Sequence, residues 1–130
     1  MRISTRGRYA VRLMLDLATN YTGKPIRLKD VAKRQEISDK YLEQIIPVLN
    51  RAGLLQTARG VQGGYRLTRR PEEYTLGDVL RATEATLASV ACLETGAERC
   101  PRQGDCLTYP VWLGLDKVVN DYLDYITLQD

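Results

Sequence analysis

The chain has 130 residues, 44% hydrophobic and 27% charged, which suits about one globular domain and excludes wholesale disorder. No apolar run approaches ~18 residues, so no membrane-spanning helix is expected. Met1-Arg2-Ile3-Ser4-Thr5-Arg6 lacks the apolar stretch of a signal peptide, so a cytoplasmic protein is expected.

The net charge of +3 is unevenly divided. Residues 1–70 hold 15 Lys/Arg against 5 Asp/Glu, a net of +10; residues 71–130 hold 4 against 11, a net of −7. The basic half can neutralise phosphates and release counterions. Without a histidine, and with nothing that suggests a substrate pocket, the chain does not read as an enzyme.

The first helix is predicted over 6–21. Tyr9, Ala10, Leu13, Met14, Leu17, Ala18 and Tyr21 make one apolar stripe, with Arg8, Arg12, Asp16 and Thr19 on the other side. Ser4 or Thr5 caps its start, and Gly23-Lys24-Pro25 ends it. Leu28 to Gln35 is a short helix with Leu28, Val31 and Ala32 inward. After the tight turn Glu36-Ile37-Ser38, a third helix is predicted over 39–52, capped by Ser38 or Asp39, with Leu42, Ile45, Ile46 and Leu49 inward. Pro47 removes the bond to the Glu43 carbonyl, so a bend or an irregular turn is expected there. Two short helices joined by a tight turn are the helix-turn-helix pattern.

Gly53 closes the third helix. Leu54–Thr57 and Gly64–Thr68 read as a strand pair joined by the glycine-rich Ala58-Arg59-Gly60-Val61-Gln62-Gly63. A hairpin in that place is a wing. Thr75 and Asp78 form a capping box for a helix running to about Thr86. Residues 91–106, with Gly96, Pro101, Gly104 and all three cysteines, read as a loop. A long helix is predicted over 107–127. Val111, Leu115, Val118, Tyr122 and Tyr125 form one apolar row, and Trp112, Val119, Leu123 and Ile126 a second. Two rows exceed what one packing partner needs, and the spacing of 4, 3, 4 and 3 fits a dimer seam.

The candidate reading head is the start of the third helix, because that end enters the major groove of double-stranded DNA. Ser38, Asp39, Lys40, Tyr41, Glu43 and Gln44 stand there. Gln44 can pair with adenine, Glu43 can accept from the cytosine amino group, and Lys40 and Tyr41 can hold phosphates. Arg59, next to Gly60 at the wing tip, can enter a narrow minor groove. Arg2, Arg6 and Arg8 can contact the DNA backbone, with the N-terminus of the first helix itself favouring phosphate.

Cys92, Cys100 and Cys106 lie on one segment, spaced x7 and x5. Three thiolates so placed can converge on a soft metal or an iron–sulfur cluster. A fourth ligand is not evident: Asp105, Glu94, Glu98, Tyr109, a residue from elsewhere or a small molecule are the options. Structural zinc binding and thiol redox sensing are the alternatives.

Met1 to Ala10, Ser38-Asp39-Lys40-Tyr41-Leu42-Glu43-Gln44, Ala52-Gly53-Leu54-Leu55, Arg59-Gly60 with Gly63-Gly64-Tyr65, and the three-cysteine loop together resemble the Rrf/IscR family of bacterial regulators over essentially the whole chain. The resemblance implies a mainly α fold with a small β-hairpin wing. It implies a winged helix-turn-helix over 1–74, and over 75–130 a helix, the cysteine loop and a long dimerisation helix. It implies a homodimer on palindromic operators, and an iron–sulfur cluster at Cys92, Cys100 and Cys106 that sets DNA affinity. Some relatives place a ligating histidine three residues after the third cysteine, where this chain has Tyr109; others use an acidic residue where it has Arg8. A 2Fe-2S and a 4Fe-4S cluster both stay open.

Overall fold

A computed structural model describes residues 2–94 and 104–130. Helix α1, Thr5–Thr19, begins where the Ser4 hydroxyl accepts from the Gly7 amide. It ends two residues earlier than its apolar pattern suggests. Asn20 turns its side-chain amide back onto the Asp16 carbonyl at 2.8 Å, and Tyr21 is left exposed rather than in the stripe. Ala10, Leu13, Met14 and Leu17 are the inward face.

Asp16 corrects the sequence expectation. It sits at the edge of the apolar stripe, three residues after Leu13 and one before Leu17, and it is 3% exposed. That edge faces helix α2, Leu28–Gln35, rather than solvent.

The turn after α2 uses Glu36 in the left-handed conformation, φ 55°, and the Ile37 amide returns to the Ala32 carbonyl. Helix α3, Asp39–Arg51, starts at Ser38, whose hydroxyl accepts from the Tyr41 amide at 3.1 Å. It stays α-helical through Pro47, which points outward, so its ring meets solvent rather than core. Leu42, Ile45, Ile46 and Leu49 are buried as the spacing requires. The helix closes with the Leu54 amide on the Leu49 carbonyl and the Gly53 amide on the Asn50 carbonyl, a Schellman motif.

Strands β1, Leu55–Ala58, and β2, Gly64–Leu67, pair antiparallel with Leu55 opposite Leu67 and Ala58 opposite Gly64. The wing has a third member that the hairpin pattern did not show. Ile26, just before α2, exchanges both backbone hydrogen bonds with Tyr65 at 2.8 Å. Gly64 makes this possible: its φ is +154°, and a Cβ there would lie 2.3 Å from the Ile26 carbonyl oxygen.

After a short 3-10 turn at Pro71–Glu73, helix α4, Leu76–Thr83, begins with the full Thr75/Asp78 capping box. It ends at Thr83, not near Thr86, because Glu84 takes an extended conformation. Helix α4 packs on α1 and α3, with Val79 and Leu80 buried. A second 3-10 turn, Ala91–Leu93, carries Cys92.

Helix α5, Tyr109–Tyr125, is shorter at both ends than the predicted 107–127. Its last turn gives way to an extended tail. The Leu76 amide bonds the Ile126 carbonyl and the Leu128 amide bonds the Tyr74 carbonyl, so the chain returns to the base of α4 and buries Leu128. Helix α5 docks on α4 through Arg81, whose guanidinium donates to Asp124 at 2.7 and 3.1 Å and to Asn120 at 2.7 Å.

Tyr74 joins these parts. Its ring is fully buried, and its hydroxyl donates to the Leu54 carbonyl at 2.8 Å while accepting from the Thr68 and Arg69 amides at 2.7 and 3.1 Å. The oxygen thus serves the end of α3, the exit of β2 and the approach to α4 together. Tyr74→Phe strands these backbone groups and is expected to cost about 1–3 kcal/mol. A lower urea midpoint with an unchanged denaturant slope would report that loss.

Asp124 makes the α4–α5 contact pH-dependent. The hydrogen bond from Arg81 holds its carboxyl below the ordinary value, helped by the guanidinium charge and opposed by desolvation. A depressed folded-state value contributes stability that is fully present above the unfolded value of about 3.9 and lost as pH falls through the folded value. Asp124→Asn is expected to lower thermal stability at pH 7 by under about 1 kcal/mol, since the pair is half exposed. The gap between variant and wild type, followed by thermal melts, closes as pH falls below about 4.

Candidate nucleic-acid interface

The basic half separates into paired and unpaired cations. Arg34, Arg69 and Arg70 sit in ion pairs with Asp16, Asp78 and Glu72/Glu73. Among the described residues, none of Arg2, Arg6, Arg8, Lys40 and Arg59 is in an ion pair, and all five are exposed. Unpaired positive charge thus stands at the start of α1, the start of α3 and the wing tip, as it does at the exposed Lys24, Arg27, Lys29, Lys33 and Arg51.

Ser38, Asp39, Lys40, Glu43 and Gln44 are exposed at the N-terminal turns of α3. Lys40, Glu43, Gln44 and Pro47 follow the i, i+3, i+4, i+7 spacing of one helix face, opposite the buried Leu42, Ile45 and Leu49. This face carries a cation, an acceptor-only group and an amide that can both donate and accept, which is the chemistry needed to distinguish base edges. Tyr41 differs from its neighbours. Its ring is half-buried and meets Tyr9 edge-on, with centroids 5.3 Å apart, so it braces α3 on α1. Arg12 lies over the other member of this pair, 5.2 Å from the Tyr9 centroid.

A partly buried polar cluster ties the end of α2 to α1. Asp16 accepts from Arg34 Nε and a terminal guanidinium nitrogen, the latter at 2.7 Å, and from the Gln35 amide at 3.0 Å. Arg12 donates to the Gln35 side-chain oxygen and to its backbone carbonyl. The Asp16 bond holds Arg34 more firmly protonated than a free arginine. Four side chains thus lock the end of α2, where the turn into α3 begins, onto α1. Sequence reasoning placed Asp16 and Arg12 on the outer side; the available signal was a carboxylate beside Leu17 within an otherwise apolar run.

At the wing, Arg59 and Gly60 are exposed at the tip. The Arg27 guanidinium, from just before α2, donates to the Val61 carbonyl at 2.8 Å and ties the tip to the helix-turn-helix. Val61 itself is 86% exposed.

The start of α1 is arranged differently from the expectation that it would attract a phosphate. The Glu84 carboxylate already occupies that end, accepting from the Ser4 amide and hydroxyl, both at 2.9 Å. The nearby arginines remain available; the helix end does not.

Of the three cysteines, Cys92 is exposed, and Cys106 is half-buried with its sulfur 3.3 Å from the Thr108 hydroxyl. Cys100 lies outside the described residues. Among the described residues no three His, Cys, Asp or Glu side chains gather as a metal site would require.

Helix α5 presents its two predicted rows to different surroundings. Leu123 is buried, and Trp112, Val119 and Ile126 are half-buried, against the rest of the chain. Val111, Leu115, Val118, Tyr122 and Tyr125 are 57%, 44%, 67%, 59% and 78% exposed. Among the described residues no helix is long and apolar enough to cross a membrane.

The sequence profile of the Rrf2 family, described as an iron-dependent transcriptional regulator, matches residues 3–130. The chain is 41% identical over 130 residues to protein rrf2 of Nitratidesulfovibrio vulgaris, covering all of this chain and 86% of that one. Its fold is similar to CymR (YrzC), the global cysteine regulator of B. subtilis, with a TM-score of 0.81 and 35% identity over 100% of this chain and 95% of that one. It is also similar to T. potens IscR, with a TM-score of 0.78 and 38% identity over 100% of this chain and 85% of that one.

Proposed function

The chain belongs to the Rrf2 family of DNA-binding transcriptional regulators, and on that premise we propose that it reads palindromic operators in the cytoplasm as a homodimer whose affinity is set at its cysteines. The observation that carries the reading is the exposed Ser38–Gln44 face on α3, flanked by the unpaired Arg59 of the wing. Asp39, Glu43 and Gln44 meet base edges in the major groove, and Ser38, Lys40 and Tyr41 meet the phosphates beside them. Arg59 and Gly60 approach the adjacent minor groove, and Arg2, Arg6 and Arg8 contact the backbone.

The exposed row of α5 supports the homodimer. A contiguous apolar strip along about 21 Å of helix is unusual on a monomer, and a second copy of the same strip, crossing it, would cover both. Two reading heads related by a two-fold axis then address half-sites about one DNA turn, roughly 34 Å, apart.

Three variants test this part, two by operator binding and one by assembly. Gln44→Ala is expected to relax preference at one base pair by about 1–3 kcal/mol, and Arg59→Ala to weaken binding most where A·T-rich flanks narrow the minor groove. Val118→Asp is expected to give a monomer in sedimentation and to lose operator binding. Gln44→Ala that weakens every sequence equally, or a wild-type monomer that binds operators at full affinity, would sink the reading.

For the cysteines we favour an iron–sulfur cluster, 2Fe-2S or 4Fe-4S, on Cys92, Cys100 and Cys106 with a fourth ligand from elsewhere. The likeness to IscR and the three-cysteine spacing support it. A thiol-sensing reading is favoured instead by the exposure of Cys92 and the likeness to CymR. Protein purified without oxygen is expected to be coloured, to carry iron and sulfide, and to change operator affinity when stripped. A colourless protein whose affinity changes on oxidation assigns thiol chemistry. If the triple Cys→Ala variant binds like wild type under every condition, both readings fall.

A further inference from the structure

We propose that Glu84 is a positioning residue for DNA binding: its carboxylate latches the residue before α1 and thereby sets where Arg2 meets the phosphate backbone beside Arg6 and Arg8 of the helix. The inference rests on the assignment of those arginines to DNA contact.

The latch is built from both sides. Glu84 terminates α4, with its amide on the Leu80 carbonyl at 2.8 Å and its backbone extended, so its side chain leaves the helix end toward α1. One carboxylate oxygen accepts from both the amide and the hydroxyl of Ser4. That same hydroxyl accepts from the Gly7 amide at 3.0 Å, so the cap of α1 and the link to α4 are one relay. Gly7 is shaped to the latch: a Cβ there would lie 2.0 Å from the Glu84 oxygen and 3.0 Å from its carboxyl carbon. Gly7 is buried, and the carboxylate fills the space that any other side chain would need.

Electrostatics favour the same arrangement. The first turn of α1 has no acidic residue of its own, so its exposed helix dipole is met by Glu84 from another element. Among the described residues, the hydrogen bonds that tie residues 2–4 to any element other than α1 are the two from Ser4 to Glu84. Arg2 precedes this anchor by two residues and Arg6 follows it by two; Arg8 is one turn on, bonded through its guanidinium to Thr5. Released from Glu84, residues 2–4 lose their fixed place, and the ordering cost outweighs what one exposed phosphate contact returns, so the Arg2 contact and its counterion release are lost.

The sign of the effect separates positioning from plain charge. Removing a carboxylate makes the protein more positive, which by itself strengthens DNA binding. The latch predicts weaker binding. The test is the salt dependence of binding to a mixed-sequence DNA duplex, read by fluorescence anisotropy, where each phosphate contact contributes about 0.9 to the slope. The triple variant Arg2→Ala/Arg6→Ala/Arg8→Ala is expected to flatten the slope by up to about 2.7. Glu84→Ala should flatten it by up to about 0.9, the share of Arg2, and combining it with the triple variant should add nothing. Glu84→Gln, which has the same charge change but keeps an acceptor oxygen for Ser4, should stay near wild type. Gly7→Ala, which displaces the carboxyl without altering charge, should behave like Glu84→Ala. If Glu84→Ala does not fold, Glu84→Asp, which draws the carboxylate back by one methylene, supplies the same comparison. A folded Glu84→Ala or Glu84→Asp with the wild-type slope, beside a triple variant that flattens it, overturns the latch and leaves the arm's role standing. A triple variant without effect overturns both.

Discussion

The Asp16 carboxylate is buried between α1 and α2, and a carboxylate in that setting must be matched by donors or it destabilises the fold. Arg34 supplies a forked pair of N–H groups and Gln35 a further one, while Arg12 holds Gln35 from the other side. The donors stand on the last turn of α2, so satisfying Asp16 fixes the point from which the turn and α3 depart. An apolar contact could slide by a fraction of a turn with little change in buried area. A forked guanidinium on a carboxylate cannot, because its geometry is directional. Arg34 keeps 40% of its side chain in solvent, so only one partner bears the full desolvation cost.

From that fixed point the placement of α3 and the wing is carried by packing and by backbone bonds. Tyr9 and Tyr41 brace the first turn of α3 against α1, and the Schellman motif at Gly53 aims the chain into β1. The Ile26–Tyr65 bridge and the Arg27 bond to Val61 then anchor the wing at its base and near its tip. Tyr74 closes the circuit by tying Leu54, Thr68 and Arg69 to one buried oxygen. A thin hairpin rich in glycine is thereby attached at three separated places, and its arginine is presented from a defined position.

Much of this was legible in the order of residues, and the reason is local. The α1 and α3 stripes, the Ser4, Ser38 and Thr75 caps and the Gly53 stop each depend on neighbours within one or two turns. The two rows of α5 were readable as two surfaces, and they do face different surroundings. What escaped was non-local. Asp16 looks like a surface residue until α2 is placed beside it, and its partners lie 18 and 19 positions away. Glu84 reaches back 80 positions to Ser4, and no periodicity signals such a pair. Tyr74 and Leu128 sit outside any amphipathic pattern, in a connector and a tail, yet both belong to the core.

The bridge between Thr75 and Thr127 has an architectural consequence. It brings the two ends of a 53-residue stretch side by side, where the chain enters α4 and where it leaves α5. Chain added or removed within such a stretch changes the entropy of closure only slowly, by about 0.6 kcal/mol for each doubling of loop length. Changes of chain length between the end of α4 and the start of α5 therefore leave this closure, and with it the placement of α1 to α3, nearly unchanged.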